Sequence, residues 1–392
     1  MVDLCHPKRK RKGTIMSRKS IERNISYDES RKLYYVHLDS GKDDQGNRHR
    51  TYRTFPSLQQ ARKALIAFQA ERAIYSEVTP RTTTLADWLD HWMEEIVKPN
   101  RADTTVYGYS NIIENHLVPA LGEIPVQQLT PAHIQQYYTM LLREKGLAPN
   151  TIRRHHDLLS SSLRTAMRQD ILIRCPTDRV EPPRVIPKEA KYYSPENLKR
   201  LYAEAEGTWL ELVVKLAGCL GLRREEICGL KWTNVDFNQR RIHIKEARTS
   251  AGANIVQKET KNRSSARTLH LTDELYPLLR REYRRQAEDR LRLGEAWPDT
   301  GLVLVDHMGR PYSPNNVSLA FHRFVQKHKL PEITLHGLRH TFATVASAQG
   351  APLFEIGKAL GHSTPATTGR IYTHLLDTTH APTLSRVASA LK

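Results

Sequence analysis

Three clusters in the C-terminal half of the 392-residue chain combine side chains able to act on an anionic substrate. The first is Gly221-Leu222-Arg223-Arg224-Glu225-Glu226. It sets an arginine directly after an apolar run, with a carboxylate three residues on to hold its guanidinium. The second, His336-Gly337-Leu338-Arg339-His340, puts His336 and Arg339 on one helical face. His336 and His340 are also four apart, as in a metal pair, but no carboxylate lies between them as in a zincin helix and no third ligand is suggested. The third runs from Leu360-Gly361-His362-Ser363 to Gly369-Arg370-Ile371-Tyr372, placing a phenol ten residues after an imidazole. Guanidiniums stabilise negative charge, imidazoles move protons, and a hydroxyl can form a covalent intermediate. Taken singly, each cluster has an ordinary reading: a helix-end salt bridge, a packed histidine, a tyrosine used for packing.

In their order and spacing, GLRRE, HGLRH, LGHS and TTGRIYTH resemble the catalytic signature of the tyrosine recombinases, the phage integrase family. The resemblance covers about residues 60 to 391, with a looser match before, and points to integrases of phages and of integrative or conjugative elements that carry an N-terminal arm-binding domain. It implies a site-specific DNA recombinase that integrates or excises a mobile element. Tyr372 would be the nucleophile, leaving a 3′-phosphotyrosine and a free 5′-hydroxyl. Arg223 and Arg339 would clamp the phosphate, His336 and His362 would serve its oxygens or the tyrosine proton, Glu226 would orient Arg223, and His340 would support the set. Lys261, in NIVQKETKNRSSARTLHL, takes the place of the family's hairpin lysine and general acid, with Lys258 the nearest competitor. Exchanging one phosphate ester for another of similar energy needs no nucleotide, and no Walker-type loop is found. No cofactor and no metal are expected, and cleavage should survive chelation. A type IB topoisomerase and a catalytically silent DNA-binding regulator are the alternatives; the complete Arg-Lys-His-Arg-His-Tyr set argues against the second.

The elements that must position these residues read as a multidomain chain, mainly α with small β-sheets. Residues 1–80 read as a basic tail plus an arm-type α+β module: strands at Lys32–Leu38 and Arg48–Phe55, then a helix capped by Ser57 with Leu58, Ala61, Leu65 and Phe68 inward. Residues 81–175 carry four amphipathic stripes and resemble the helical, SAM-like core-binding bundle. Asn150 is expected to cap the fourth helix, with Ile152, His156, Leu159, Leu163 and Ala166 inward. Residues 176–190 have the proline-rich composition of a linker. Residues 191–392 hold a mixed α/β catalytic domain: a buried central helix from Trp209 to Leu222, short strands at Arg241–Lys245, Asn254–Lys258 and Arg267–Leu271, and a C-terminal helix bearing Leu384, Val387, Ala388 and Leu391.

Charge narrows the partner. Sixty Lys and Arg against 42 Asp and Glu give +18, and the excess is not confined to the basic head at Pro7–Lys12. A polyanion follows, with double-stranded DNA leading. Arg48, Arg50 and Arg53 on the N-terminal strands, and Arg153, Arg154, Arg164 and Arg168 on the fourth helix, are candidate DNA contacts, against a bland reading as solvated faces. The longest run free of Asp, Glu, Lys, Arg and His, Thr341–Phe354, is 14 residues, shorter than the roughly 20 apolar residues of a membrane helix. Four cysteines without CxxC spacing fit a reducing cytosol, and the family resemblance implies a bacterial cytoplasmic, nucleoid-associated location. The family resemblance adds a homotetramer on core and arm attachment sites, helped by an excisionase or a host DNA-bending protein.

Overall fold

The computed structural model describes residues 18–42, 48–76, 83–186, 190–259, 265–362, 364, 369 and 389. Lys261, Tyr372, the basic head and the helix expected around Leu384–Leu391 lie outside these residues, as do the side chains of Arg48 and Arg50. Two compact units form, residues 1–92 with 114–184 and residues 93–113 with 185–392.

The first unit opens with an antiparallel sheet in the order β1-β2-β3-β4: Lys19–Glu22, Ile25–Asp28, Leu33–Lys42 and Arg48–Phe55. β1 and β2 are additional to the strands read from the sequence; at four residues each, KSIE and ISYD carry too little alternation to register. Ile25 faces Val36 and Tyr34 faces Phe55 across the ladders. Helix α1 (Leu58–Ser76) covers the sheet, and Ile25, Val36, Leu38 and Ala61 are buried with Leu58, Leu65 and Phe68 packed around them. Ser57 Oγ accepts from Gln60 N at 3.3 Å, the expected cap.

Helix α2 (Leu85–Trp92) buries Leu85, Trp88, Leu89 and Trp92, the stripe its sequence displays. A π-turn (Met93–Val97), α3 (Lys98–Asn100) and α4 (Asp103–Ile112) belong to the second unit, and the first resumes with α5 (Val118–Leu121), α6 (Pro131–Arg143) and α7 (Pro149–Arg168). Thr130 caps α6 by accepting from His133 N at 3.3 Å. On α7 two expectations are corrected. Pro149 is the first helical residue, so the cap is Ala148 rather than Asn150; proline's fixed φ suits that position. His155, not His156, is the fully buried histidine, because the inward stripe runs Ile152, His155, Leu158, Leu159. The proline-rich stretch that follows is not uniformly extended. Pro176–Arg179 forms a 3₁₀ turn with Pro176 and Thr177 buried, and the Glu181 backbone pairs with the Gln135 side-chain amide, its N–H donating to Oε1 at 3.2 Å and its carbonyl accepting from Nε2 at 3.3 Å.

The second unit is built on α9 (Leu210–Leu220), preceded by α8 (Pro195–Ala205), which Ser194 caps, and followed by α10 (Arg224–Gly229). α9 is apolar almost all round and sits at the centre of the core, as expected, while Trp209 before it stays at the surface, stacked on Tyr312 at 4.2 Å. β5 (Val235–Asp236), β6 (Arg241–Ile244) and β9 (Arg267–His270) form one sheet in the order β5-β6-β9. β7 (Glu246–Ala251) and β8 (Asn254–Glu259) form a separate hairpin. α11 (Leu275–Leu293), α12 (Pro314–Lys327), α13 (Leu335–Ala348) and α14 (Leu353–Leu360) complete the described part. Buried leucine, isoleucine and valine side chains of this core each contribute about 1.5–3 kcal/mol. Tyr193 N donates to the buried Thr341 Oγ1 at 2.9 Å, pinning the chain ahead of α8 onto α13. No described helix is long and apolar enough to cross a membrane.

Candidate active site

α9 delivers Arg223. The helix ends at Gly221, whose φ of +64° is left-handed. A Cβ there would lie 2.6 Å from Leu360 and 2.8 Å from Phe342, so only glycine lets α9 stop directly against α13 and α14. The chain then turns extended at Arg223 and re-enters helix at Arg224. Arg223 N donates to Glu226 Oε2 at 2.9 Å and its Nη1 to Glu226 Oε1 at 2.8 Å, so the carboxylate three residues on does hold this guanidinium. Arg223 remains 31% exposed at its side chain.

α13 delivers the second cluster. Thr334 caps it through Gly337 N at 3.1 Å, and Arg339 lies one turn in, with only 2% of its surface exposed. Its Nη1 donates to Gly221 O at 2.6 Å and its Nη2 to Leu360 O at 2.5 Å. One guanidinium thus ties the ends of α9 and α14 together. His336 and His340 meet edge to face, ring centroids 4.7 Å apart.

α14 delivers His362. Gly361 is left-handed at φ +67°, its N–H bonds back to Lys358 O at 3.1 Å, and His362 N reaches Gly357 O at 3.0 Å, a Schellman closure. The carbonyls left over at this helix end are taken one each by three arginines. Ala359 O accepts from Arg267 Nε at 2.6 Å, Leu360 O from Arg339 and Gly361 O from Arg223 Nη2 at 3.2 Å. A helix C-terminus carries partial negative charge, which favours cations here. Arg267 also grips Glu226 with both terminal nitrogens, each at 2.9 Å.

The electrostatics follow from this crowding. Burial alone would raise the Glu226 carboxyl, but hydrogen bonds and charge from Arg267, then Arg223, hold it below the usual carboxylate range. The imidazoles move the other way. Desolvation first, then the Arg339 and Arg223 charges, lower His336. Burial, followed by Arg339, Arg223 and Arg267, brings His362 to about 4; burial, followed by His336 and Arg339, brings His340 to about 4. His340 and His362 are therefore neutral at pH 7, and each neutral ring has one donor and one acceptor nitrogen.

Of the residues singled out in the sequence, Arg223, Glu226, His336, Arg339, His340 and His362 converge at this place. Lys261 and Tyr372 lie outside the described residues. The competitor Lys258 is on β8, its Nζ buried with no hydrogen-bond partner among the described residues. Arg267 was not singled out. Its signal was the alternation of β9, which turns Arg267 and Leu269 inward and Thr268 and His270 outward. Among the described residues no group of three or more His, Cys, Asp and Glu side chains is arranged to hold a metal ion. Of the candidate DNA contacts, Arg53 is exposed on β4, and Arg153, Arg154, Arg164 and Arg168 are exposed on α7.

Comparison with known proteins places this geometry. Residues 191–379 match the model of the phage integrase family, and residues 84–142 that of the phage integrase N-terminal SAM-like domain. A tyrosine recombinase XerC-like protein of Caldanaerobacter subterraneus is 25% identical over 312 residues, 75% of this chain and 80% of that protein. The ICEBs1 integrase of Bacillus subtilis is 26% identical over 310 residues, 79% and 82%. Among solved structures, the Tn1549 transposon integrase in complex with transposon right-end DNA superposes with a TM-score of 0.64 at 20% identity, covering 74% of this chain and 94% of that one. A lambda integrase dimer bound to a COC′ core site gives 0.56 at 18%, covering 91% and 96%. The phage integrase family model, matched over the segment that holds the arginines and histidines just described, and the phage integrase SAM-like model matched ahead of it establish that the chain belongs to the phage integrase family of tyrosine recombinases, enzymes that cleave and rejoin DNA at specific sites.

Proposed function

We propose that the chain is the integrase of a phage or of an integrative element, moving that element through a 3′-phosphotyrosine intermediate. The observation that carries this reading is the convergence of Arg223, Arg339 and His362 on the end of α14, with both guanidiniums oriented before any DNA arrives. The phenolate of Tyr372 attacks the scissile phosphorus, a P–O bond to the 5′-oxygen breaks, and Lys261 donates the proton that leaving oxygen needs. Arg223 and Arg339 take the non-bridging oxygens as charge builds there. Arg223 is open to solvent, whereas the burial of Arg339 means that DNA must uncover it. His362 donates to a phosphate oxygen, and His336 does the same or accepts the tyrosine proton. A 5′-hydroxyl of the partner strand then reverses the step on the new strand.

Residues 1–80 serve as the arm-site module, with Arg48, Arg50 and Arg53 as its DNA contacts. Residues 81–175 grip the core site through Arg153, Arg154, Arg164 and Arg168, residues 176–190 connect, and residues 191–392 cut. The lambda integrase likeness, a dimer on a core site, supports assembly on DNA, and the working complex is a tetramer on two sites in the bacterial cytoplasm.

The test is a pool of nicked duplexes drawn from element ends, scored for protein–DNA adduct that survives denaturation. Adduct formation unchanged by EDTA, with strand exchange between two sites, is the expected result. Supercoil relaxation without exchange would favour a topoisomerase, and absence of adduct would leave a silent DNA-binding protein.

A further inference from the structure

We propose that Arg267 is a positioning residue for strand cleavage, fixing the Glu226 carboxylate and the end of α14 so that Arg223 and His362 face the same phosphate. The proposal rests on the reading above of those two residues as phosphate-binding groups.

Arg267 itself is screened from DNA: its side chain is 6% exposed, against 31% for Arg223. Among the described residues, its hydrogen bonds all point into the protein. Nη1 and Nη2 donate to the two oxygens of Glu226 at 2.9 Å each, Nη1 also reaches Ser265 O at 3.2 Å, and Nε donates to Ala359 O at 2.6 Å. A planar fork on a carboxylate sets its rotation as well as its distance. That rotation matters because the same two oxygens hold Arg223, Oε1 through Nη1 and Oε2 through the backbone N–H. The bond to Ala359 acts on the other side of the site, since His362 follows three residues later through a closed helix end.

Charge supplies a second argument. Arg223, Arg267 and Glu226 together carry one net positive charge, and the exposed edge of Arg223 is where it reaches the surface. Without Arg267, Glu226 and Arg223 neutralise one another, and the exposed Arg223 edge offers phosphate a salt bridge instead of a net cation. A lysine at 267 restores the charge but not the fork, so it should recover only part of the effect.

The test uses the full chain and the nicked duplex on which it forms adduct. R267K and R267A are compared with it for thermal unfolding, for affinity toward that duplex, and for the single-turnover rate of adduct formation. The expected result is a folded R267K that binds DNA within about threefold of the unsubstituted chain but forms adduct about 10- to 100-fold more slowly, the scale on which supporting groups act, with R267A slower still. R267K at the unsubstituted rate would overturn the proposal. So would cleavage, affinity and folding lost in step, which would leave Arg267 a purely structural role. Failure of the unsubstituted chain to form adduct would be a different result: it would remove the functional reading, and this proposal with it.

Discussion

Arg339 on α13 and Arg153 on α7 are the same residue type on two helices, and they are used in opposite ways. Arg339 is buried, with its terminal nitrogens on the carbonyls that close α9 and α14. Arg153 stands in solvent, half exposed, opposite Asp157 at 3.5 Å one turn away. A guanidinium held by backbone carbonyls has a direction before substrate binds, which is what charge stabilisation in a transition state requires. A solvated guanidinium has only charge, which draws DNA in without aiming at anything. These arginines therefore divide by their partners rather than by their number: helix-end carbonyls and Glu226 for Arg223, Arg267 and Arg339, solvent and surface carboxylates for Arg153 and Arg164.

That contrast can be broken first at its strongest point. Arg339→Ala should lower the rate of adduct formation by about 10²–10³, because an oriented donor is removed. It should also reduce unfolding free energy by about 1–3 kcal/mol for each carbonyl stranded at Gly221 and Leu360. A variant of normal stability and rate would mean the buried guanidinium orients nothing.

A smaller effect probes the first unit by acid. His155 is buried on α7, donating to or accepting from Tyr137 Oη at 2.7 Å, and burial followed by the neighbouring His116 holds it at about 4. The unfolded chain protonates this residue near 6.5 while the folded chain does not. Stability is therefore complete above about pH 6.5 and falls as pH drops toward 4, by up to roughly 3 kcal/mol. Hydrogen exchange of peptides from α7 should accelerate over that window, and His155→Gln should flatten the dependence.

The smallest expected effect lies on the exposed face. Arg153→Ala with Arg154→Ala should leave stability within about 0.5 kcal/mol and adduct formation at saturating DNA unchanged. The salt dependence of DNA affinity should fall by about one unit of slope per arginine. An unchanged slope would reassign this face to solubility.

Much of the site was legible in the residues, because spacing carries it: an arginine and a glutamate three apart, a histidine and an arginine three apart, a Gly-His after a helix. The helices α2, α6 and α7 were legible in their apolar stripes for the same periodic reason. What stayed hidden is what spacing does not encode. The acceptors that orient the arginines are the backbone carbonyls of Gly221, Ala359, Leu360 and Gly361, and carbonyls have no letter in a sequence. Arg267 is 41 positions from the glutamate it grips, so only the folded chain joins them. On α7, a one-residue ambiguity of phase exchanged His156 for His155, since two adjacent histidines offer the stripe equal chemistry.

The identity of the residue that becomes joined to DNA decides the mechanism. Trapping the adduct on a nicked duplex, digesting it and sequencing the nucleotide-bearing peptide should locate the phosphodiester at Tyr372, and Tyr372→Phe should bind the duplex yet give no adduct. A linkage at any other side chain, or adduct persisting in that variant, would contradict it.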